Sequence, residues 1–127
     1  MQLLRNGRVL RTYLVALGGN PVGHKQREGD RRTPEGRYTI SARNPKSSYH
    51  LSLRISYPND ADREHALKIG APPGGDIMIH GLPNNLPKLG AAHREYDWTD
   101  GCIAVTNEEI EEIWSLVPDG TPIQIDP

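Results

Sequence analysis

Tyr49, Leu51, Leu53, Ile55 and Tyr57 alternate with His50, Ser52, Arg54 and Ser56. A period of two sustained over that length suits a β-strand with one apolar face and no other regular element. The second face is either solvent or the floor of a cleft. Thirteen Gly and eleven Pro in 127 residues cut the rest of the chain into short pieces, and helix signals survive in only two of them. One helix follows Pro58-Asn59, capped by Asn59 or Asp60, running to about Lys68 and stopped by Gly70. The other begins in the capping box Thr106-Asn107-Glu108-Glu109 and carries Ile110, Ile113, Trp114 and Val117 as one apolar stripe. Asn6-Gly7 predicts a two-residue hairpin turn, with a strand from Val9 to Leu17 after it. Further strands are expected over Tyr38 to Ser41, from Asp76 to His80, over Ile103-Ala104-Val105 and over Ile123-Gln124-Ile125. The chain thus reads as one mainly β domain over 1–127 with two short helices.

The arm before Asn6-Gly7 is shorter than the arm after it, which fits either residues upstream of Met1 or a short first strand. The formal charge of −1 and a pI near 6.5 make no case for nucleic acid or an anionic membrane. No apolar run approaches the ~20 residues that span a bilayer, and no signal peptide is visible. The long loop from Gly18 to Gly36 mixes Lys25, Arg27, Arg31 and Arg32 with Glu28, Asp30 and Glu35, a pattern expected of a solvated surface.

The single cysteine lies in Trp98-Thr99-Asp100-Gly101-Cys102-Ile103-Ala104-Val105. A lone cysteine is often a small buried hydrophobe. Here Gly101 permits a sharp turn immediately before it, which sets backbone amides beside the thiol where an oxyanion would develop. His80, closing Asp76-Ile77-Met78-Ile79-His80 ahead of Gly81, offers the imidazole that such a thiol needs as base. Loop 82–98 joins the two and is placed to act as a flap. A metal site built from His24, His50, His65, His80 and Cys102 lacks the usual ligand spacing, so neither metal nor cofactor is expected.

His80-Gly81, then Thr99-Asp100-Gly101-Cys102 with apolar residues and Asn107, and upstream Thr33-Pro34-Glu35-Gly36, together resemble the catalytic domain of the L,D-transpeptidases, the YkuD-like family of cell-wall cross-linking enzymes. The resemblance implies a sandwich of mixed sheets with a lid loop and a Cys102–His80 cleft at its edge. It further implies Cys102 as nucleophile and His80 as base, with His80 oriented by the Gly81 carbonyl. The amides of Gly101 and Cys102, with that of Asp100 as a further candidate, would form the oxyanion hole. Thr99 and Asp100, then Tyr57 and Arg54, are the candidate substrate contacts. Peptidoglycan stem tetrapeptides are the implied donors, a thioester the implied intermediate and an amine the implied acceptor. A carbapenem adduct, a monomer and a periplasmic or cell-envelope setting in wall remodelling and cell shape belong to the same expectation. A thiol carboxypeptidase or amidase, and a non-catalytic wall-binding module, are the alternatives. Asp100 stands where many members have His, and Ala104 where many have Arg or Asn.

Overall fold

The computed structural model describes all 127 residues. Strands β1 (Gln2–Arg5) and β2 (Arg8–Thr12) form an antiparallel hairpin. Asn6 and Gly7 both take positive φ, 51° and 78°, as a type I′ turn requires. β2 is shorter than the Val9–Leu17 strand the sequence predicts. Tyr13 and Ala16 are both buried three residues apart, which breaks the alternation. Beyond β2 the chain instead makes isolated bridges, Ala16 to Ala104 and Gly18 to Thr99.

The main sheet has the order β6-β5-β4-β3-β7, with β3 at Gly36–Ser47, β4 at His50–Ile55, β5 at Met78–His80, β6 at Ile103–Ala104 and β7 at Pro122–Ile125. Every neighbouring pair is antiparallel except β5 with β6. β3 runs well past the predicted Tyr38–Ser41 because β4 folds back along it, from Ile40 opposite Ile55 to Ser47 opposite His50. Pro45 is accommodated where that register shifts, between Asn44 and Ser47.

Leu53 and Ile55 of β4 point into a core shared with Tyr38, Ile40, Ile79, Ile103, Ile110 and Ile113. On the opposite face Arg54 is exposed and Ser52 is buried. That face is therefore solvent at one point and covered at the next.

Helix α1 (Asp60–Lys68) is capped by Asn59 in a full capping box with Asp62. α2 (Asn107–Leu116) starts from the Thr106/Glu109 box and buries Ile110 and Ile113. A third helical piece, which the sequence did not signal, is the 3-10 segment Pro87–Glu95 within the flap, broken at Gly90 (φ 54°, ψ −143°).

The 18–36 loop is not a solvated surface throughout. Lys25 is 3% exposed and donates to Asp30 at 2.9 Å. His24 donates through Nε2 to Asp62 at 2.8 Å, while its Nδ1 accepts from the Glu35 amide. Tyr38 donates to the other Asp62 oxygen at 2.7 Å. Asp62 thereby ties the loop to α1 and β3.

Candidate active site

The parallel pair β5–β6 sets the site. Ile79 lies opposite Ile103, and both enter the core. His80 lies opposite Ala104 on the other face. Continuing that register one step back puts Met78 opposite Cys102, so Cys102 shares the face of His80 and is offset from it by two residues on the neighbouring strand. At rest no hydrogen bond joins the two side chains, the Cys102 thiol being turned to the Asp76 carbonyl. β4 extends the same rows, with Ser52 beside His80 and Arg54 beside Met78. The structure thus places Cys102, His80 and Arg54 on one face at the sheet edge.

His80 is almost fully buried. Its Nδ1–H donates to the Gly81 carbonyl at 2.7 Å, which leaves Nε2 as the proton acceptor. Burial pushes its pKa below the ordinary histidine value, against an upward pull from the Gly81 bond. Tyr49 stacks on the imidazole at 4.3 Å between centroids, and the Trp98 ring lies 5.9 Å away. Gly81 has to be glycine. A Cβ there would lie 2.6 Å from Asn107 Oδ1 and 3.0 Å from the Tyr49 carbonyl. The same Asn107 oxygen accepts from the Leu82 amide at 2.8 Å, so the first residue of α2 locks the turn that follows His80.

Thr99 builds the turn that precedes the thiol. It is buried, its hydroxyl donates to the Cys102 carbonyl at 2.7 Å, and it accepts from the Gly101 amide at 3.1 Å. Two sequence expectations change as a result. Thr99 is an internal brace instead of a substrate contact, because its hydroxyl is spent on the loop. The Gly101 amide is likewise occupied and does not line an oxyanion hole, whereas the Cys102 amide makes no hydrogen bond within the chain. Gly101 sits at φ 135°, and a Cβ would meet the Arg32 carbonyl oxygen at 2.7 Å.

Cys102 is partly exposed, and its Sγ–H donates to the Asp76 carbonyl at 3.4 Å. Burial pushes the thiol pKa up; the Met78 amide opposes this, the Asp100 and Asp76 carboxylates add to it, and Lys25 pulls it down. The resting pair is therefore a neutral thiol and a neutral imidazole. Asp100 points outward, with its side chain 95% exposed, and pairs with Arg31 Nε at 3.2 Å. Arg31 also donates to the Trp98 and Thr99 carbonyls, each at 3.4 Å.

Tyr57 is a correction. It is 2% exposed and its hydroxyl donates to the Pro73 carbonyl, so the last residue of the β4 alternation belongs to the core and offers nothing to a ligand. Arg54 remains on the rim, with its guanidinium 3.8 Å from the Asp76 carboxylate. Sequence reasoning missed Tyr49 and Trp98 as the rings around the His80 imidazole. The alternation had assigned Tyr49 to the core face, and its position one residue before β4 frees it from that face. His24 and His50 are engaged elsewhere, with Asp62 and Glu111 respectively.

The model of the YkuD family, the L,D-transpeptidase catalytic domain, matches residues 1–125. The chain belongs to this family. Among its relatives, YafK of Escherichia coli strain K12 is 32% identical over 111 residues, which are 86% of this chain and 37% of that protein. Among solved structures, the helical cell shape determining protein Pgp2 from Campylobacter jejuni is 27% identical with a TM-score of 0.69, covering 93% of this chain and 40% of that one. L,D-transpeptidase 3 from Mycobacterium tuberculosis, solved with a faropenem-derived adduct, is 18% identical with a TM-score of 0.54, covering 100% of this chain and 48% of that one; at that identity the likeness is one of fold. The YkuD chain described here thus spans about two fifths of the length of YafK and Pgp2. Its fold is the expected one for an L,D-transpeptidase domain, mostly β with a curled mixed sheet. No helix is long and apolar enough to cross a membrane.

Proposed function

We propose that this YkuD domain is a cysteine acyltransferase that takes peptidoglycan stem tetrapeptides as donors. The observation that carries the reading is the pairing of β5 with β6, which sets Cys102 and His80 on one face while the Gly81 carbonyl holds the imidazole with Nε2 free to accept a proton. Because thiol and imidazole are both neutral at rest, the proton leaves as attack occurs. Sγ bonds to the carbonyl carbon of the third stem residue, and the thiol proton passes to His80 Nε2. The amide C–N bond then breaks, the proton goes to the departing amine of the terminal D-alanine, and a thioester remains. An acceptor amine attacks that carbonyl and gives a proton to His80 Nε2, the C–S bond breaks, and the departing Cys102 thiolate takes that proton. The Cys102 and Asp100 amides, neither of them hydrogen-bonded within the chain, are the backbone donors left to meet the oxyanion.

Family membership supports the donor class and a place in the cell envelope, and the kinship with Pgp2 supports a part in shaping the wall. A carbapenem, whose strained amide presents a similar carbonyl, is expected to acylate the same sulfur. Intact-protein mass spectrometry after incubation with a tetrapeptide muropeptide tests the reading. The wild type should gain the mass of the donor less D-alanine, and added amine should convert it to a joined product. Cys102→Ala should show no adduct with muropeptide or carbapenem. His80→Ala should acylate far more slowly yet still label slowly with iodoacetamide, since even a thiol whose pKa burial raises keeps a small thiolate fraction. A wild type that forms neither adduct refutes the assignment, and thioester lost only to water assigns a carboxypeptidase instead.

A further inference from the structure

The flap contains a polar atom that the chemistry above does not use. His93, in the second half of the 3-10 segment, is 2% exposed. Its Nδ1 accepts the Trp98 indole N–H at 3.3 Å. An indole nitrogen only donates, so Nδ1 carries no proton and the neutral ring holds its hydrogen on Nε2. Burial, seconded by Arg94, keeps the ring neutral by lowering its pKa. His93 Nε2 is the one buried side-chain nitrogen or oxygen in the protein without a hydrogen-bond partner. Buried donors are nearly always satisfied, so an orphan calls for a specific reason.

Its surroundings supply one. The His93 ring stands edge-on to Trp98, with centroids 6.3 Å apart and planes at 89°. Trp98 in turn lies 5.9 Å from the His80 ring. The orphan donor is thus one aromatic ring from the base, and close enough that His93 is among the groups depressing the pKa of His80. The segment bearing it is divided at Gly90, whose φ and ψ are non-helical. Its far end is held to α2 by the Arg94–Glu109 pair at 3.5 Å, and its Leu89, like Leu86 just before it, is exposed instead of packed. Little apolar burial opposes a movement of the flap about Gly90.

We propose that His93 is a further substrate-contacting residue, whose Nε2–H donates to a carbonyl or carboxylate oxygen of the donor peptide as the flap admits it. A neutral imidazole with one free N–H has no other use for an incoming peptide than to bind an oxygen. This inference rests on the acyltransferase reading above.

Two substitutions separate the two ring nitrogens. His93→Asn keeps an amide oxygen near Nδ1 to accept from Trp98 and removes the Nε2 donor. His93→Gln sets an amide nitrogen near Nε2 and gives up the acceptor. Acylation by a tetrapeptide muropeptide, iodoacetamide labelling of Cys102 and thermal midpoint are measured for both and for the wild type. His93→Asn should slow peptide acylation about tenfold and label with iodoacetamide at the wild-type rate, any fall in its thermal midpoint reporting the smaller buried side chain. His93→Gln should acylate within about twofold of the wild type, the residual difference being geometric. Wild-type acylation by His93→Asn overturns the inference, and so does a loss confined to His93→Gln, which would make His93 a support for Trp98. A wild type that labels normally with iodoacetamide but takes no acyl group from the peptide overturns the acyltransferase reading itself, and this inference with it.

Discussion

Thr99→Val is the substitution that tests the geometry of the nucleophile turn most directly. Valine matches threonine in shape and removes only the hydroxyl, which in Thr99 serves the Cys102 carbonyl at 2.7 Å and the Gly101 amide at 3.1 Å. Each such bond is worth about 0.5–1.5 kcal/mol net, and a buried amide stripped of its acceptor costs a further ~1–3 kcal/mol. Gly101 is buried, so the second penalty applies to it, and the total loss should come to about 2–6 kcal/mol. For a chain of this size that corresponds to a fall in Tm of about 8–22 °C. Scanning calorimetry at neutral pH on wild type, Thr99→Val and Thr99→Ser measures it, with serine expected to recover most of the loss. Carbapenem acylation should slow by about tenfold or more in the valine variant, because a reacting atom moved by a fraction of an ångström loses attack geometry. A Thr99→Val protein that melts within about 2 °C of the wild type but binds peptide more weakly would refute the argument and return Thr99 to the substrate contacts.

Gly101→Ala should be worse still. Its Cβ would meet the Arg32 carbonyl oxygen at 2.7 Å from a backbone φ of 135°, and urea melts should show a loss of about 3 kcal/mol or more together with loss of acylation. Acid stability should depend on Asp30. Burial alone would raise its pKa, but the Gln26 amide, the Lys25 ammonium and the Arg32 and Arg27 amides outweigh that and hold it at about 2. The folded value lies below the unfolded one, so the unfolded chain binds more protons between the two. The stabilisation is therefore complete above the unfolded value and lost as pH falls from about 4 to about 2, to the extent of about 2 kcal/mol. The double variant Lys25→Met/Asp30→Asn avoids stranding a buried charge and should lack this contribution in melts run from pH 5 to pH 2.

What the sequence disclosed was local. The Asn6-Gly7 turn, the Asn59 cap, the Thr106–Glu109 capping box and the stripe through Ile110 and Ile113 depend on residues within a few positions of one another, and each stands in the structure where its spacing puts it. Strand lengths were less legible. β3 reaches Ser47 only because β4 lies against it, and β2 stops at Thr12 because Tyr13 and Ala16 turn inward together. Within the site, the residue types flanking the thiol pointed to a nucleophile turn, but how that turn is held could not be read from them. Thr99 looked like a ligand contact because it adjoins the thiol, when its hydroxyl is needed by the backbone. Tyr57 lies on the apolar face of its strand pattern, and the core does take its ring and Pro73 its hydroxyl; only the family resemblance had offered it to a ligand. Arg31, 69 positions from Asp100, and the buried Lys25–Asp30 pair arise from tertiary folding of a loop whose composition resembles any solvated surface.

The parallel pairing of β5 with β6 has a topological cost. Two antiparallel strands can be joined by a turn of two residues, but parallel neighbours need a crossover of a dozen or more. Residues 81–102 are that crossover, so the segment roofing the site is also the tether that lets its two strands run the same way. It cannot be trimmed to a hairpin without turning Cys102 off the face of His80. It can be lengthened at Gly90 at small entropic expense, since each doubling of a loop adds only about 0.6 kcal/mol. Variation in this fold is thereby channelled in one direction, toward larger or differently lined roofs over an unchanged floor.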